Sequence, residues 1–175
     1  MRLRFPPSRI PDLAGRYDSE LRDWDREQSK LITEQVFPDF KKRGFLTKPE
    51  FLAVCAWKTH RSKSRCASND PNLIREISQI SLTTESEELR IKVWTLLAGV
   101  KWPTASVFLH FMFSDRYPIL DVRALESIGI SPPPPYTFQF WMRYTTFCRS
   151  LAKETGVSMR ILDQALWKFS EINQR

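Results

Sequence analysis

The sequence predicts an all-α protein, and three kinds of observation predict it. Apolar residues recur every three or four positions through most of the chain, as they do along the buried face of a helix. Helix-start signals precede these stretches, among them Thr47-Lys48-Pro49-Glu50 and Asn69-Asp70-Pro71. No stretch alternates apolar and polar residues with the period of a half-buried strand. We therefore expect about seven or eight helices in one small, two-lobed domain spanning all 175 residues.

The N-terminal part of the chain contains two different signals. Residues 1–17 are interrupted by prolines and arginines, which favours an irregular arm on the surface. From about Ser19, apolar residues at helical spacing predict a helix that ends at Pro38, because proline lacks the amide that a helix interior uses. The basic residues 41–43 that follow are typical of a solvated turn.

The capping box at Thr47 predicts a helix that carries Phe51, Leu52 and Cys55 on one face. Lys58 lies on the same face, about 20° from Phe51 around the helix axis. Two interpretations fit a lysine in that position. Either its methylenes run along the core while the ammonium reaches water, or its amine faces a cleft as an ion-pair partner or a nucleophile, because burial lowers the pKa of a lysine.

Residues 58–65 form a basic segment that includes Arg61, Lys63 and Arg65 and no acidic residue. Such a segment is typical of a flexible strap that follows a phosphate backbone, with an affinity that salt weakens. It is also typical of a merely solvated loop. The sequence leaves both interpretations open.

Two further helices lead to a short turn. The first begins at Asp70-Pro71, and the second begins at a second capping box, Thr84-Glu85-Ser86-Glu87. Their predicted buried residues, all at helical spacing, are Leu73, Ile74, Ile77 and Ile80 in the first helix and Leu89, Val93, Leu96 and Leu97 in the second.

The turn itself is defined by a glycine and a proline. Gly99 is placed to end one helix in a left-handed conformation, and Pro103 is placed to begin the next. A turn this short points the unpaired amides of the second helix outward, where they form a site for an anion such as phosphate. The second helix, residues 103–113, is apolar almost all round, so we expect it to be central and buried. His110 on it is predicted to be a hydrogen-bonded core residue.

Asp121 follows an extended apolar stretch and precedes a short helix that Gly129 ends. An aspartate in this position is typical of an N-cap, and the same carboxylate could also act on a bound ligand. Residues 131–135, which include four prolines, predict a stiff, extended connector. Two amphipathic helices follow, the first ending at Gly156 and the second capped by Ser158.

The charge balance favours an anionic partner. The net charge is +7 and the pI is about 9.5, so nucleic acid is the first expectation and a membrane surface the second. Cys55, Cys66 and Cys148 are odd in number and far apart, which fits a reducing compartment and no metal site. No signal peptide and no membrane-spanning run is recognisable, so we expect a cytoplasmic protein. We further expect it to associate with the nucleoid, to be a monomer and to use no cofactor.

The turn and the aspartate together resemble the hairpin and catalytic-aspartate segment of the helix-hairpin-helix DNA glycosylases. That superfamily carries a Leu-Pro-Gly-Val-Gly hairpin, then Thr-Ala at the start of an apolar helix, then an apolar approach to an aspartate that heads another helix. The matching positions are Leu97, Gly99, Val100, Thr104, Ala105, the approach at residues 117–120, and Asp121, which follows Gly99 by 22 residues.

The departures from the family pattern limit what the resemblance implies. Ala98 replaces the family's proline and Lys101 its second glycine. Pro103 stands where strand-cleaving members carry their Schiff-base lysine, so the resemblance implies a monofunctional enzyme. Some members hold an iron–sulfur cluster on four cysteines, and this chain has three. The resemblance therefore implies a bacterial-type member without the cluster, with a two-lobed DNA glycosylase-like fold, a helix-hairpin-helix at 85–113 and a catalytic-aspartate segment at 117–128.

In that family one carboxylate stabilises a sugar with oxocarbenium character or orients the attacking water, while a damaged base is flipped out of duplex DNA. The resemblance assigns this role to Asp121, with Lys58 as an alternative amine nucleophile. The residues expected to contact DNA are Gly99, Val100, Lys101, Trp102, Thr104, Lys92, Arg61, Lys63 and Arg65. The aromatic residues expected to form the base pocket or a wedge are Trp57, Trp102 and Tyr117, with Trp94 a further candidate by residue type. For Trp102, packing over the helix junction is the alternative.

Two other functions remain open. A catalytically inactive helix-hairpin-helix module would bind DNA without base release. A helical protein-interaction domain would use its basic surface to bind acidic partners.

Overall fold

The computed structural model describes residues 1–113 and 115–174, and every regular element within them is helical, which confirms the all-α prediction. The α-helices are Ile10–Ser19 (α1), Asp23–Lys30 (α2), Phe37–Arg43 (α3), Lys48–Lys58 (α4), Lys63–Ala67 (α5), Pro71–Thr83 (α6), Glu87–Lys92 (α7), Trp102–Met112 (α8), Val122–Ser127 (α9), Phe138–Thr155 (α10) and Met159–Asn173 (α11). Shorter 3₁₀ turns occupy Pro7–Arg9, His60–Ser62 and Val93–Leu96, and Leu31–Val36 is π-helical. None of the helices in the described part of the chain combines the length and the apolar character needed to cross a bilayer.

The chain divides into two compact units. One comprises Met1–Leu21 and Phe113–Arg175, and we call it the terminal unit. The other comprises Arg22–Met112, and we call it the central unit. The turn at Gly99 belongs to the central unit, whereas Asp121 belongs to the terminal unit.

The central unit is built around α8. Thr104 to His110 and Met112 are all buried, as the apolar composition of this helix predicts. The ring of Phe108 stacks on Trp94 with the centroids 4.0 Å apart, and on Phe51 of α4 at 5.5 Å. These stacks fix α8 against α4 and against the 3₁₀ turn that leads to Gly99.

The terminal unit is built around α11, against which α1, α9 and α10 pack. Leu162, Ala165 and Leu166 on its inner face have no exposed surface. Gln164 donates a hydrogen bond of 2.6 Å to Asp18 of α1, and the buried Lys168 contacts the carboxylate of Glu20 at 2.5 Å. Helix α11 therefore holds the N-terminal part of the chain by both apolar and polar contacts.

The expectation of an irregular arm over residues 1–17 is wrong from Ile10 onward, where α1 begins. Pro11 is accommodated because a proline in the first turn has no hydrogen bond to lose. Pro38 does not end a helix either. It lies in the first turn of α3, directly after the π-helical segment, and the last turn of α3 carries the basic residues 41–43.

The basic segment 58–65 is helical rather than a flexible strap. Thr59 starts it by accepting a hydrogen bond of 3.3 Å from the Arg61 amide, and α5 continues it to Ala67. The second capping box starts two residues later than predicted, because Ser86, not Thr84, accepts the hydrogen bond from the Leu89 amide.

Four residues predicted to be buried are exposed in the structure. On α6, Ile74 and Ile77 are buried together with Ser78 and Ser81, so the inner face is partly polar and is rotated from the predicted one. Around the turn, the switch from α-helix to 3₁₀ geometry changes which side chains face inward. The residues concerned are Leu73, Ile80, Leu89 and Leu96.

Candidate functional site

The turn between α7 and α8 has the geometry of a hairpin with accessible amides. Gly99 adopts a left-handed conformation with φ +81°, as predicted. The Val100 amide donates to the Leu97 carbonyl at 3.1 Å, and α8 begins as the Ala105 amide donates to the Lys101 carbonyl at 2.9 Å. The amides of Gly99 and Lys101 have no acceptor among the residues that the structure describes. Two donors at the start of a helix can therefore bind an anion.

A buried asparagine holds the hairpin in this shape. The Asn69 side chain accepts a hydrogen bond of 2.8 Å from the Ala98 amide and donates one of 2.9 Å to the Ala98 carbonyl. The same amide nitrogen also donates to the Cys66 carbonyl at 2.9 Å. Sequence reasoning placed Asn69 only at a helix start, since the pairing spans 29 residues and no local signal announces it.

Helix α5 lies directly against the hairpin. A Cβ added to Gly99 would lie 2.8 Å from Sγ of Cys66 and 3.1 Å from Cβ of Arg65. Only glycine permits this approach, which places Arg65, the last residue of the basic segment, beside the hairpin. Arg61, Lys63 and Arg65 are all exposed, and none pairs with an acidic residue in residues 1–113 or 115–174.

The basic residues closest in sequence to the turn differ from one another. Lys101 is exposed and makes no ion pair within the described residues. Lys92 is also exposed, but its ammonium contacts the Glu88 carboxylate one helical turn earlier. The charge of Lys101 is therefore more available to an anion than that of Lys92.

Two predicted DNA contacts are not supported by their placement. Val100 and Thr104 are each 5% exposed, so their side chains pack inside the central unit. The Val100 amide is already used within the turn. Trp102 is half-buried as the first residue of α8, a position compatible with either of its predicted roles.

Asp121 is the N-cap of α9 in the terminal unit. Its Oδ1 accepts a hydrogen bond of 2.9 Å from the Arg123 amide, and the residue is half-buried rather than sealed from solvent. Tyr136, after the proline connector, has a raised pKa, first because it is partly buried and second because of the negative charge of Asp121. The predicted cap is confirmed, and Asp121 keeps part of its surface exposed to solvent.

Two buried side chains fix the extended approach to Asp121. The hydroxyl of Tyr144 on α10 donates a hydrogen bond of 2.9 Å to the Ile119 carbonyl. The Ile119 amide donates one of 3.3 Å to Oδ1 of Asp163 on α11, whose other oxygen lies 3.6 Å from Arg160. Tyr144 lies on the first of the two amphipathic helices predicted after the connector, and no local signal in the sequence indicates what its hydroxyl binds.

The aromatic candidates fall into two groups. Trp57 is half-buried, donates to the Ser29 hydroxyl at 2.9 Å and meets Phe111 edge-on. Tyr117 and Trp94 have no exposed surface, which argues against either as a wedge or pocket wall, because a ring without accessible surface cannot meet a base. Tyr117 instead stacks on Trp141 inside the terminal unit.

Lys58 is the last residue of α4 and is half-buried. It shares a face with Phe51 and Cys55, as predicted, but the third buried residue of that face is Val54, while the predicted Leu52 is only half-buried. It belongs to the central unit, whereas Asp121 belongs to the terminal unit.

The cysteines are buried thiols. Burial raises the pKa of Cys55 and of Cys148 well above the ordinary value, which makes both poor nucleophiles. Within the described residues no group of three or more histidine, cysteine or acidic side chains could hold a metal ion.

No family model and no curated protein matches this chain. Among solved structures, it is similar to the 8-oxoguanine glycosylase/lyase of Methanocaldococcus jannaschii, in a crystal structure with a 15mer DNA containing 8-oxoguanine. The TM-score is 0.47 at 15% sequence identity, and the alignment covers 93% of this chain and 88% of that chain. A likeness at this level does not by itself assign a family or an activity.

Proposed function

We propose that this protein is a DNA glycosylase-like enzyme of the helix-hairpin-helix type, which binds duplex DNA and hydrolyses the N-glycosidic bond of a flipped, damaged base. The observation that carries the DNA-binding part is the hairpin. Its open amides at Gly99 and Lys101 lie in a turn that Arg65 approaches closely, and Arg65 ends a segment with two further exposed basic residues, Arg61 and Lys63. Phosphate is the ligand that such donors and charges fit together.

The catalytic part of the proposal rests on Asp121. A carboxylate near the sugar stabilises the positive charge that develops as the glycosidic bond breaks, or it orients the water that attacks C1′. The cap hydrogen bond to the Arg123 amide fixes the orientation of the carboxylate. The hydrogen bonds that hold Ile119 fix the backbone two residues before it.

We propose a monofunctional reaction because Pro103 replaces the usual lysine and has no amine. Lys58 is the alternative amine, and borohydride trapping tests it. A covalent adduct that disappears in Lys58→Met would establish lyase chemistry at Lys58, whereas base release without an adduct supports hydrolysis.

The first experiment measures DNA affinity against salt concentration by fluorescence anisotropy. Lys101→Ala should weaken binding to all sequences alike and reduce the slope of log K against log salt by about 0.9, as the loss of one phosphate contact does. Lys92→Ala removes the same charge from the same hairpin, but from a lysine already paired with Glu88, and should change the slope less. Equal slopes for wild type and Lys101→Ala would remove Lys101 from the interface.

The second experiment measures base release from duplexes that each carry one type of lesion. Asp121→Asn keeps a good N-cap but removes the charge, so it should abolish base release and preserve DNA binding. Asp70→Asn is the matched control, because Asp70 caps α6 in the same way, accepting from the Asn72 amide at 2.8 Å. Activity that survives in Asp121→Asn would make Asp121 a cap only.

The same experiments separate the alternatives. DNA binding without release of any lesion would identify an inactive DNA-binding module. No affinity for DNA at low salt would leave an interaction domain for acidic proteins.

A further inference from the structure

The first residues of the chain are fixed to the helix that Asp121 starts. The Arg2 amide donates to the Ile128 carbonyl at 3.0 Å, and the Arg4 amide donates to the Ser127 carbonyl at 2.9 Å. Phe5 is buried, and its ring lies 4.6 Å from the ring of Phe169 on α11. This N-terminal arm, residues 1–5, is therefore docked by its backbone and by one phenylalanine.

The two arginine side chains of the arm take little part in this docking. Both are exposed, and neither forms an ion pair with any acidic residue that the structure describes. Arg4 makes one long contact of 3.5 Å to the Glu126 carbonyl. The Glu126 carboxylate accepts hydrogen bonds from Ser170 and Gln174 instead. The charges of Arg2 and Arg4 thus remain available to a ligand.

Arg2 and Arg4 border the same concave surface, two positions apart in the arm. They line an open cavity of about 740 Å³ with the exposed Gly129. The arm crosses the C-terminal end of α9, which is the end of a helix that favours cations. A concave, doubly cationic surface of this kind fits a phosphate group.

The length of α9 gives the distance between Asp121 and the arm that carries Arg2 and Arg4. Asp121 and the arm lie at opposite ends of α9, a helix of six residues, which is about 9 Å long at 1.5 Å per residue. A DNA strand rises about 3.4 Å per nucleotide along the duplex axis, so for DNA bound with its axis parallel to α9 the two ends are about three nucleotides apart.

We propose that Arg2 and Arg4 form a second phosphate-binding site in the terminal unit, which holds the DNA strand about three nucleotides from the one on which Asp121 acts. This inference rests on the proposed function. It assigns contacts with the phosphate backbone of DNA to the terminal unit, which carries Asp121, in addition to the contacts that the hairpin makes.

The experiment compares two double variants of the full chain by anisotropy across a salt series. Arg2→Gln/Arg4→Gln should reduce the slope of log K against log salt by about 1.8, corresponding to two phosphate contacts. Arg9→Gln/Lys153→Gln removes the same charge from two exposed residues of the same unit that, like Arg2 and Arg4, form no ion pair within the described residues, and it should leave the slope close to that of wild type. Equal slope changes in both double variants would show a general charge effect and overturn the proposal, as would no change in either.

A second measurement locates the contact. Ethylation of individual phosphates in a lesion-containing duplex should interfere with wild-type binding about three nucleotides from the lesion, and this interference should vanish in Arg2→Gln/Arg4→Gln. Interference that persists in the variant overturns the proposal even if affinity falls. If the wild-type protein does not bind DNA, the proposed function itself is refuted. If the wild type binds DNA and Arg2→Gln/Arg4→Gln binds it with the same affinity and the same salt slope, only this site is refuted.

Discussion

Replacing Gly99 by alanine should damage the hairpin more than the same change at another left-handed glycine. Gly99 has φ +81° and Gly44 has φ +82°, and both belong to the central unit. An alanine in this conformation costs about 1–2 kcal/mol at either position. Their surroundings differ, because no atom lies within 4 Å of a Cβ at Gly44, whereas Sγ of Cys66 would lie 2.8 Å from a Cβ at Gly99.

The close approach adds a second cost at Gly99 alone. Forcing an extra carbon into a packed site typically costs about 1–3 kcal/mol, because neighbouring atoms must move. We therefore expect Gly44→Ala to lower the free energy of unfolding by about 1–2 kcal/mol and Gly99→Ala by about 2–5 kcal/mol. Cys66→Ala should recover only part of the difference, since the Cys66 amide nitrogen also lies 3.0 Å from the added carbon.

Urea unfolding gives the free energies, and anisotropy on a DNA duplex gives the functional consequence. Gly99→Ala should weaken DNA binding because it pushes α5 and the hairpin apart, whereas Gly44→Ala should bind as wild type does. Equal losses of stability in the two variants would refute the close contact. Unchanged DNA affinity in a folded Gly99→Ala protein would refute the role of the hairpin and α5 as one binding surface.

Three further outcomes follow from groups inside the two units. Tyr144→Phe leaves a buried carbonyl without its donor, so it should cost about 1–3 kcal/mol in urea unfolding and slow single-turnover base release without weakening DNA binding. Cys55 and Cys148 have pKa values raised by burial, and neither should react with a thiol reagent at mildly alkaline pH until the protein unfolds; rapid reaction of the native protein would contradict this. A hydrogen bond from Lys168 lowers the pKa of Glu20 below its ordinary value of 4.5. The contact therefore stabilises the protein fully at pH values above 4.5, and this stabilisation is lost as the pH falls through the lowered pKa of the folded state. Lys168→Met should accordingly lose less stability on acidification than the wild type does.

Local signals in the sequence predicted the helices and their caps well. The capping box at Thr47 forms as predicted, with the Thr47 amide donating to Glu50 at 2.8 Å. The cap at Asp121 and the left-handed Gly99 depend on neighbouring residues in the same way. The buried character of α8 follows from its composition. Each of these features is decided within a few residues, which is why periodicity and capping rules can find them.

Features decided by distant residues escaped prediction. The basic segment 58–65 looked like a loop because it is polar, but burial of Cys66 against Gly99 folds it into a helix. The first residues of the chain looked irregular because of their prolines, but α11 supplies a surface on which Ile10 and Leu13 are buried as a helix. In both cases tertiary burial outweighs local propensity.

The backbone at both candidate sites is held by side chains rather than by regular secondary structure. Asn69 binds both polar groups of Ala98 at the hairpin, and Tyr144 and Asp163 bind both polar groups of Ile119 before Asp121. An irregular segment cannot pair its own amides and carbonyls, so these buried partners satisfy them and fix the segment at the same time. Segments that are fixed before a ligand arrives lose little conformational entropy on binding, and under the proposed function this would favour both phosphate binding at the hairpin and the alignment of Asp121 with a sugar.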